Sequence, residues 1–204
     1  MNQPQRPPGS PEVNRVLAIA GSLRQRSYNK MLLQAAAEVS PPVLDIEAYR
    51  DLAAIPLFDE DLDRDTAGGT LAVKKLRAQV KAADGLLIST PEYNQSVSGV
   101  LKNAIDWLSR PGPEEVLIGK PVAIVGASGG RWGTRLAQAN LRQVLTATES
   151  VVMPQPAIFV AESGKVFSAE GALVNDLLRK QLEGFMQAFA NWLALMATRA
   201  TLQA

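Results

Sequence analysis

Three polar segments gather the residue types that could do chemistry: Gly21 to Asn29, Thr90 to Gly99 and Gly126 to Gly133. The first sets small hydroxyls and arginines just ahead of a helical pattern. Free backbone N–H groups, a helix dipole and a cation together favour a dianion, so Ser22, Arg24, Ser27 and Asn29 form a candidate phosphate cradle. The same residues equally suit ordinary helix capping, with Ser27 as the cap and the arginines in water. The second segment places Tyr93 beside Asn94 and Gln95 behind Pro91. An aromatic next to amides can flank a planar heterocycle and serve its polar edge, although a plain strand-to-helix turn has a similar composition. In the third, Gly129 and Gly130 let backbone come close to a ligand, a weak signal by itself.

Other chemistries are excluded by composition. The 204 residues contain no histidine and no cysteine, which removes thiol nucleophiles, disulfides, Cys/His zinc sites and histidine acid–base catalysis. If the chain is an enzyme, something other than those side chains supplies its chemistry, and a bound organic cofactor fits that requirement. Lysine and arginine number 21 against 20 acidic residues, so no global field draws the chain to nucleic acid or to an anionic membrane. The first segment is neither a dinucleotide fingerprint, which needs three spaced glycines, nor a Walker loop.

The elements that must position these segments follow from periodicity. Residues 1–14 read as a flexible proline-rich tail and residues 15–204 as one domain. Strands are expected at Val16–Ala20, Val43–Ile46, Gly85–Thr90, Val122–Gly126 and Val151–Val160, alternating with helices. One helix carries Tyr28, Met31, Leu32, Ala35 and Val39 on a single face and stops at Pro41 and Pro42. Others run over Leu71–Ala83, through Val100–Leu108 to Pro111 and Pro113, and over Trp132–Ala147. The last spaces Leu178, Leu182, Phe185, Met186, Phe189, Trp192 and Met196 on one stripe. Between Pro56 and Gly69 lies an irregular excursion. This order predicts an α/β, flavodoxin-like doubly wound five-stranded parallel sheet with strand order 2-1-3-4-5 and helices on both faces, whose ligand sits beyond the carboxyl ends of the strands. All three polar segments should then converge there.

The runs GSLRQRSYN (Gly21 to Asn29), STPEYNQSVSGVLKNAIDWLSR (Ser89 to Arg110) and GASGGRWGT (Gly126 to Thr134) resemble the signature regions of the NADPH-dependent FMN reductase family, which includes chromate, quinone and azo reductases. The resemblance spans about Val16 to Ala190. It implies bound FMN, with NADPH or NADH as co-substrate. Ser22, Arg24, Ser27 and Asn29 would hold the phosphate, with Tyr28 also at the cofactor. Pro91, Glu92, Tyr93, Asn94 and Gln95 would border the ring and ribityl chain, and Ser128, Gly129 and Gly130 would approach the pyrimidine edge. Ser98 departs from the proline common in relatives, implying a looser start to the following helix. Lys102, Asn103, Asp106 and Trp107 are expected to fix the preceding loop rather than to react.

The implied reaction is hydride transfer to the flavin and onward electron transfer to a quinone, azo compound, chromate or free flavin, by a ping-pong mechanism. No protein side chain need act as acid or base. A cytoplasmic homodimer or homotetramer serving a small-molecule acceptor, with no nucleic-acid or membrane partner, is the corresponding expectation. A flavodoxin-type electron carrier is the alternative; such carriers usually have a strongly acidic docking surface, which the charge balance does not favour. A flavin-free regulatory protein on the same fold is a third reading.

Overall fold

The computed structural model describes residues 13–110 and 115–203. Most of the proposed tail, and Pro111 and Pro113, lie outside the described residues. The sheet begins with β1 (Asn14–Ala20), one residue inside the expected tail, because Asn14 N donates to Val43 O at 2.8 Å. Along the chain follow α1 (Tyr28–Glu38), β2 (Leu44–Tyr49), α2 (Glu60–Asp65), α3 (Leu71–Ala82), β3 (Gly85–Ser89), α4 (Gly99–Leu108), β4 (Pro121–Ala127), α5 (Arg135–Ala147), β5 (Val151–Val152), β6 (Ile158–Val160) and α6 (Asp176–Gln203). All pairings are parallel, in the order β2-β1-β3-β4-β5, with β6 also on β4. The doubly wound, flavodoxin-like order is the expected one.

Alternation along the strands builds two cores. Val16 and Ala18 of β1, Leu87 of β3 and Ala123 and Val125 of β4 pack under α1 and α6, whereas Leu17, Ile19, Leu86, Ile88, Val122 and Ile124 pack under α3, α4 and α5. The stripe from Leu178 to Phe189 on α6 is buried in the first core. A sheet covered on both faces leaves the strand ends as the place for a ligand.

Two expectations need correction. The single fifth strand is two short ones: β5 pairs with Pro121 and Val122, and β6 with the stretch from Val125 to Ala127. Pro154 and Pro156, which carry no N–H to donate, occupy the gap. The excursion after β2 is not wholly irregular, since Asp59 caps α2 by accepting from Asp61 N at 2.9 Å and acidic residues fill its first turn.

That excursion is held from below. Asn103 accepts from Phe58 N at 2.7 Å and donates to Pro56 O at 2.8 Å, and Trp107 Nε1 donates to the same oxygen at 2.8 Å. Arg77, 3% exposed, donates to Trp107 O and Gly68 O and lies 3.5 Å from Asp63, which Arg110 approaches at 3.2 Å from its other side. Asn103 and Trp107 are therefore scaffold residues as expected, but the segment they fix is the one after β2. Asp106 pairs with Lys102 one turn away on α4.

Candidate functional site

The loop after β1 is drawn against the loop after β3. Gly21 N donates to Ser89 O at 2.9 Å, and the buried Ser98 hydroxyl donates to Gly21 O at 2.6 Å. A Cβ at Gly21 would sit 2.9 Å from Leu101 Cδ2 and 3.1 Å from Pro91 Cδ, so the close approach requires glycine. Ser98 thus ties the start of α4 down where a looser one was expected, through a hydroxyl that proline lacks. Between these anchors, no backbone N–H from Ser22 to Tyr28 meets a protein acceptor among the described residues. Ser22 and Ser27 are 4% and 2% exposed, and Ser27 caps α1 by accepting from Asn29 N at 3.2 Å. Arg24 stacks over Tyr28, 4.9 Å from the ring centre, with no carboxylate in reach among the described residues. Free donors, a helix start and a guanidinium without a carboxylate partner among the described residues thus fall together between Ser22 and Tyr28.

Asn29 has a different job from its neighbours. Its side chain donates to Ala127 O at 2.9 Å and accepts from Ala127 N at 3.0 Å and from Ser89 Oγ at 2.8 Å. Both oxygen lone pairs are committed, so the amide joins α1 to the ends of β3 and β4. The same holds for Glu92, whose Oε2 accepts from Leu136 N at 2.9 Å and Ala137 N at 3.0 Å, satisfying the first turn of α5. Both side chains, expected at the cofactor, are engaged with protein partners.

Pro91 to Ser96 form a rigid wall. Tyr93 and Ser96 exchange backbone bonds at 3.1 and 3.0 Å across Asn94 and Gln95, both in the left-handed region at φ 51° and 63°. Asn140 holds the tip through Gln95 O at 3.1 Å. The Tyr93 ring is exposed, and the N–H groups of Glu92, Asn94 and Gln95 have no protein acceptor among the described residues.

Opposite stands the loop after β4. Ser128 O accepts from Ser163 N at 3.0 Å and Ser163 Oγ at 2.8 Å, and Gly130 O from Glu162 N at 2.9 Å, which anchors the turn while leaving Gly129 N free. A Cβ at Gly126 would meet Thr134 Oγ1 at 2.1 Å and Thr90 O at 2.6 Å; one at Gly129 would lie 4.0 Å from Tyr28 Cε2. The third loop therefore closes onto the first. Arg131 stacks on Trp132 at 4.8 Å, and Gly133 takes φ 68°, so α5 starts at Arg135 and not at the expected Trp132. Among the described residues no group of His, Cys, Asp or Glu could hold a metal ion. Sequence reasoning gave no role to Ser89 and Ser163, small residues whose partners lie 60 and 35 residues away.

Three converging loops past the strand ends, offering unpaired N–H groups and a guanidinium at one side and two walls with free amides at the other, define a nucleotide-binding protein of the flavodoxin-like class. Residues 14–165 match the family model for NADPH-dependent FMN reductases. The chain is 46% identical over 178 residues to an NAD(P)H-dependent FMN reductase of Pseudomonas aeruginosa, covering 87% of this chain and 94% of that one. It is 41% identical over 178 residues to a 2-hydroxy-1,4-benzoquinone reductase of a Burkholderia species, covering 87% and 95%. The solved flavoenzyme NAD(P)H:(acceptor) oxidoreductase of Paracoccus denitrificans superposes with a TM-score of 0.82 at 32% identity, covering 90% of this chain and 99% of that one. The chain belongs to the NADPH-dependent FMN reductase family. It is an oxidoreductase that uses FMN and a reduced nicotinamide dinucleotide. No described helix is long and apolar enough to cross a membrane.

Proposed function

We propose that the chain holds FMN across the three loops, takes hydride from NADPH or NADH, and hands the electrons to a quinone or another small acceptor in a second, separate half-reaction. The observation that carries this reading is the run of unpaired N–H groups from Ser22 to Tyr28 beside Arg24, which suits a phosphate dianion at a helix start. Ser22, Ser27 and Arg24 bind that phosphate. Tyr28 supports the guanidinium. The Pro91 to Gln95 wall, with Tyr93 and the free N–H groups of Glu92, Asn94 and Gln95, borders the ring and ribityl chain, while Ser128 to Gly130 face the pyrimidine edge. Asn29 and the Glu92 carboxylate act one step back, fixing where these groups point.

FMN, when bound, supplies the hydride-accepting chemistry. The protein binds and orients, and offers N–H groups toward developing negative charge; no side chain is needed as an acid or base. Acceptor and dinucleotide use the same open face in turn, which gives ping-pong kinetics. Azo compounds, chromate and free flavin are further acceptors of the same kind. Homodimers or homotetramers are proposed on the exposed apolar side chains Leu177 and Leu195 of α6.

Anaerobic addition of NADPH or NADH to the yellow holoprotein should bleach the flavin, and a quinone should restore the colour. Parallel double-reciprocal lines should follow in the steady state. A flavin that neither dinucleotide reduces would make the chain an electron carrier and defeat this reading.

A further inference from the structure

Five arginines in the described residues stack on aromatic rings, and they fall into two kinds. Arg77 and Arg110, over Trp107 and Phe58, share the carboxylate of Asp63. Arg24, Arg131 and Arg135, over Tyr28, Trp132 and Phe159, have no carboxylate within reach among the described residues. Arg24 and Arg131 stand on loops of the site, whereas Arg135, the first residue of α5, lines a cavity with Pro156, Phe159 and the α6 residue Phe185. Arg24 belongs to the loop after β1. Arg131 and Arg135 flank the turn after β4, where Phe159, the ring under Arg135, sits against Gly133: a Cβ built there would be 3.3 Å from that of Phe159. The acidic side chains nearby do not neutralise them, since Glu92 is held by the first turn of α5 and Glu162 by Lys165 at 2.6 Å.

One flavin phosphate is already matched by the loop after β1, so the Arg131 guanidinium remains for a second anion. Trp132 stands 69% exposed beneath that guanidinium. One face of the indole carries the Arg131 guanidinium; the other is open to a flat ring. A stacked guanidinium keeps its N–H groups directed outward in its own plane, which leaves them free for phosphate oxygens. A planar base carrying phosphates fits this surface, and the adenosine end of a nicotinamide dinucleotide is such a group.

We infer that Trp132 stacks the adenine of the reduced nicotinamide dinucleotide while Arg131 binds its phosphates, so that the turn after β4 sets affinity for the hydride donor. The inference rests on the reading of the chain as a dinucleotide-oxidising flavoenzyme. It names positioning residues remote from the reacting ring, which act on dinucleotide binding and not on the hydride step.

The test uses the FMN-loaded protein and its Arg131→Ala, Arg131→Lys and Trp132→Ala variants with three donors: NADPH, NADH and reduced nicotinamide mononucleotide, which lacks the adenosine end. Arg131→Ala and Trp132→Ala should each raise KM for NADPH about tenfold or more, the loss expected for a hydrogen bond to a charged group or a stacked ring, with kcat little changed. KM for the mononucleotide should not move. If Arg131 reads a 2′-phosphate, the NADH value shifts less than the NADPH value; if it reads the pyrophosphate, both shift alike. Lysine at 131 keeps the charge but loses the planar stack, and should recover only part of the loss. A readout independent of turnover is the fluorescence of Trp132, which adenosine 2′,5′-bisphosphate should quench in the parent and not in Trp132→Phe. Unchanged KM for NADPH in both alanine variants, or an equal change with the mononucleotide, overturns the inference while leaving the flavoenzyme reading intact. A parent protein that neither dinucleotide reduces fails at the earlier reading instead.

Discussion

The Asp63 clamp and the mouth of the site use the same interaction to opposite ends. Under the excursion after β2, Arg77 and Arg110 lie over aromatic rings and close on a shared carboxylate and on backbone oxygens. At the mouth, Arg24 and Arg131 lie over aromatic rings with no carboxylate in reach among the described residues. A closed network is a structural device, because its charges are compensated inside the chain. An open one holds charge ready for something else. Stacking alone does not tell the two apart; the presence or absence of a carboxylate does.

The contrast can be broken most forcefully at Arg77. Replacing it with methionine leaves Trp107 O and Gly68 O without their donor and Asp63 without one of its cations, and should lower unfolding free energy by about 3–5 kcal/mol in urea. Affinity for FMN in the folded fraction should stay the same. A stable variant with weakened FMN would move Arg77 into the functional group. Arg24→Ala should behave in reverse: FMN binding weakens by about 1.5–3 kcal/mol, read by titrating the apoprotein, while apoprotein stability shifts by no more than ~0.5 kcal/mol. Glu92→Ala sits between the two, since it removes the acceptor for Leu136 N and Ala137 N; a loss near ~1 kcal/mol in thermal unfolding is expected.

The smallest effect at neutral pH belongs to Tyr49, away from both regions. Burial, followed by the neighbouring Asp51 charge, raises its phenol from the usual 10.0 to about 12. The unfolded chain therefore gives up this proton first as pH rises. Stability should fall from about pH 10 and level off near 12, and Tyr49→Phe should flatten that part of the alkaline unfolding curve relative to the parent. Identical curves for the two proteins would show that the phenol does not contribute.

Periodicity made the layers legible: the strand GLLIS and the stripe of α6 lie where alternation and helical spacing put them. The split of the last strand was hidden because Val151, Val152 and Ile158 read as one apolar run unless Pro154 and Pro156 are given the decisive weight. For the site, motifs showed which loops meet but not which way each side chain turns. Asn29 and Glu92 sit inside the ligand-like segments, yet their partners, Ser89, Ala127 and the first turn of α5, are between 44 and 98 residues away. Arg77 gave no signal at all. A buried arginine within Leu71–Ala82 has the same local pattern as a solvated one, and only the tertiary fold supplies Asp63.

The Asn29 knot also gives the protein a built-in spectroscopic reporter. One amide hydrogen is fixed to Ala127 O while the carbonyl is held by Ser89 and Ala127 N, so the two side-chain protons experience unlike surroundings. In a nitrogen-15 correlation spectrum this amide should stand apart from those of surface asparagines, with widely split protons and slow exchange with solvent. Because it is buried beside the loop after β1, its resonance would register a shift of α1, β3 or β4 in a single peak, without a label or substitution at the site.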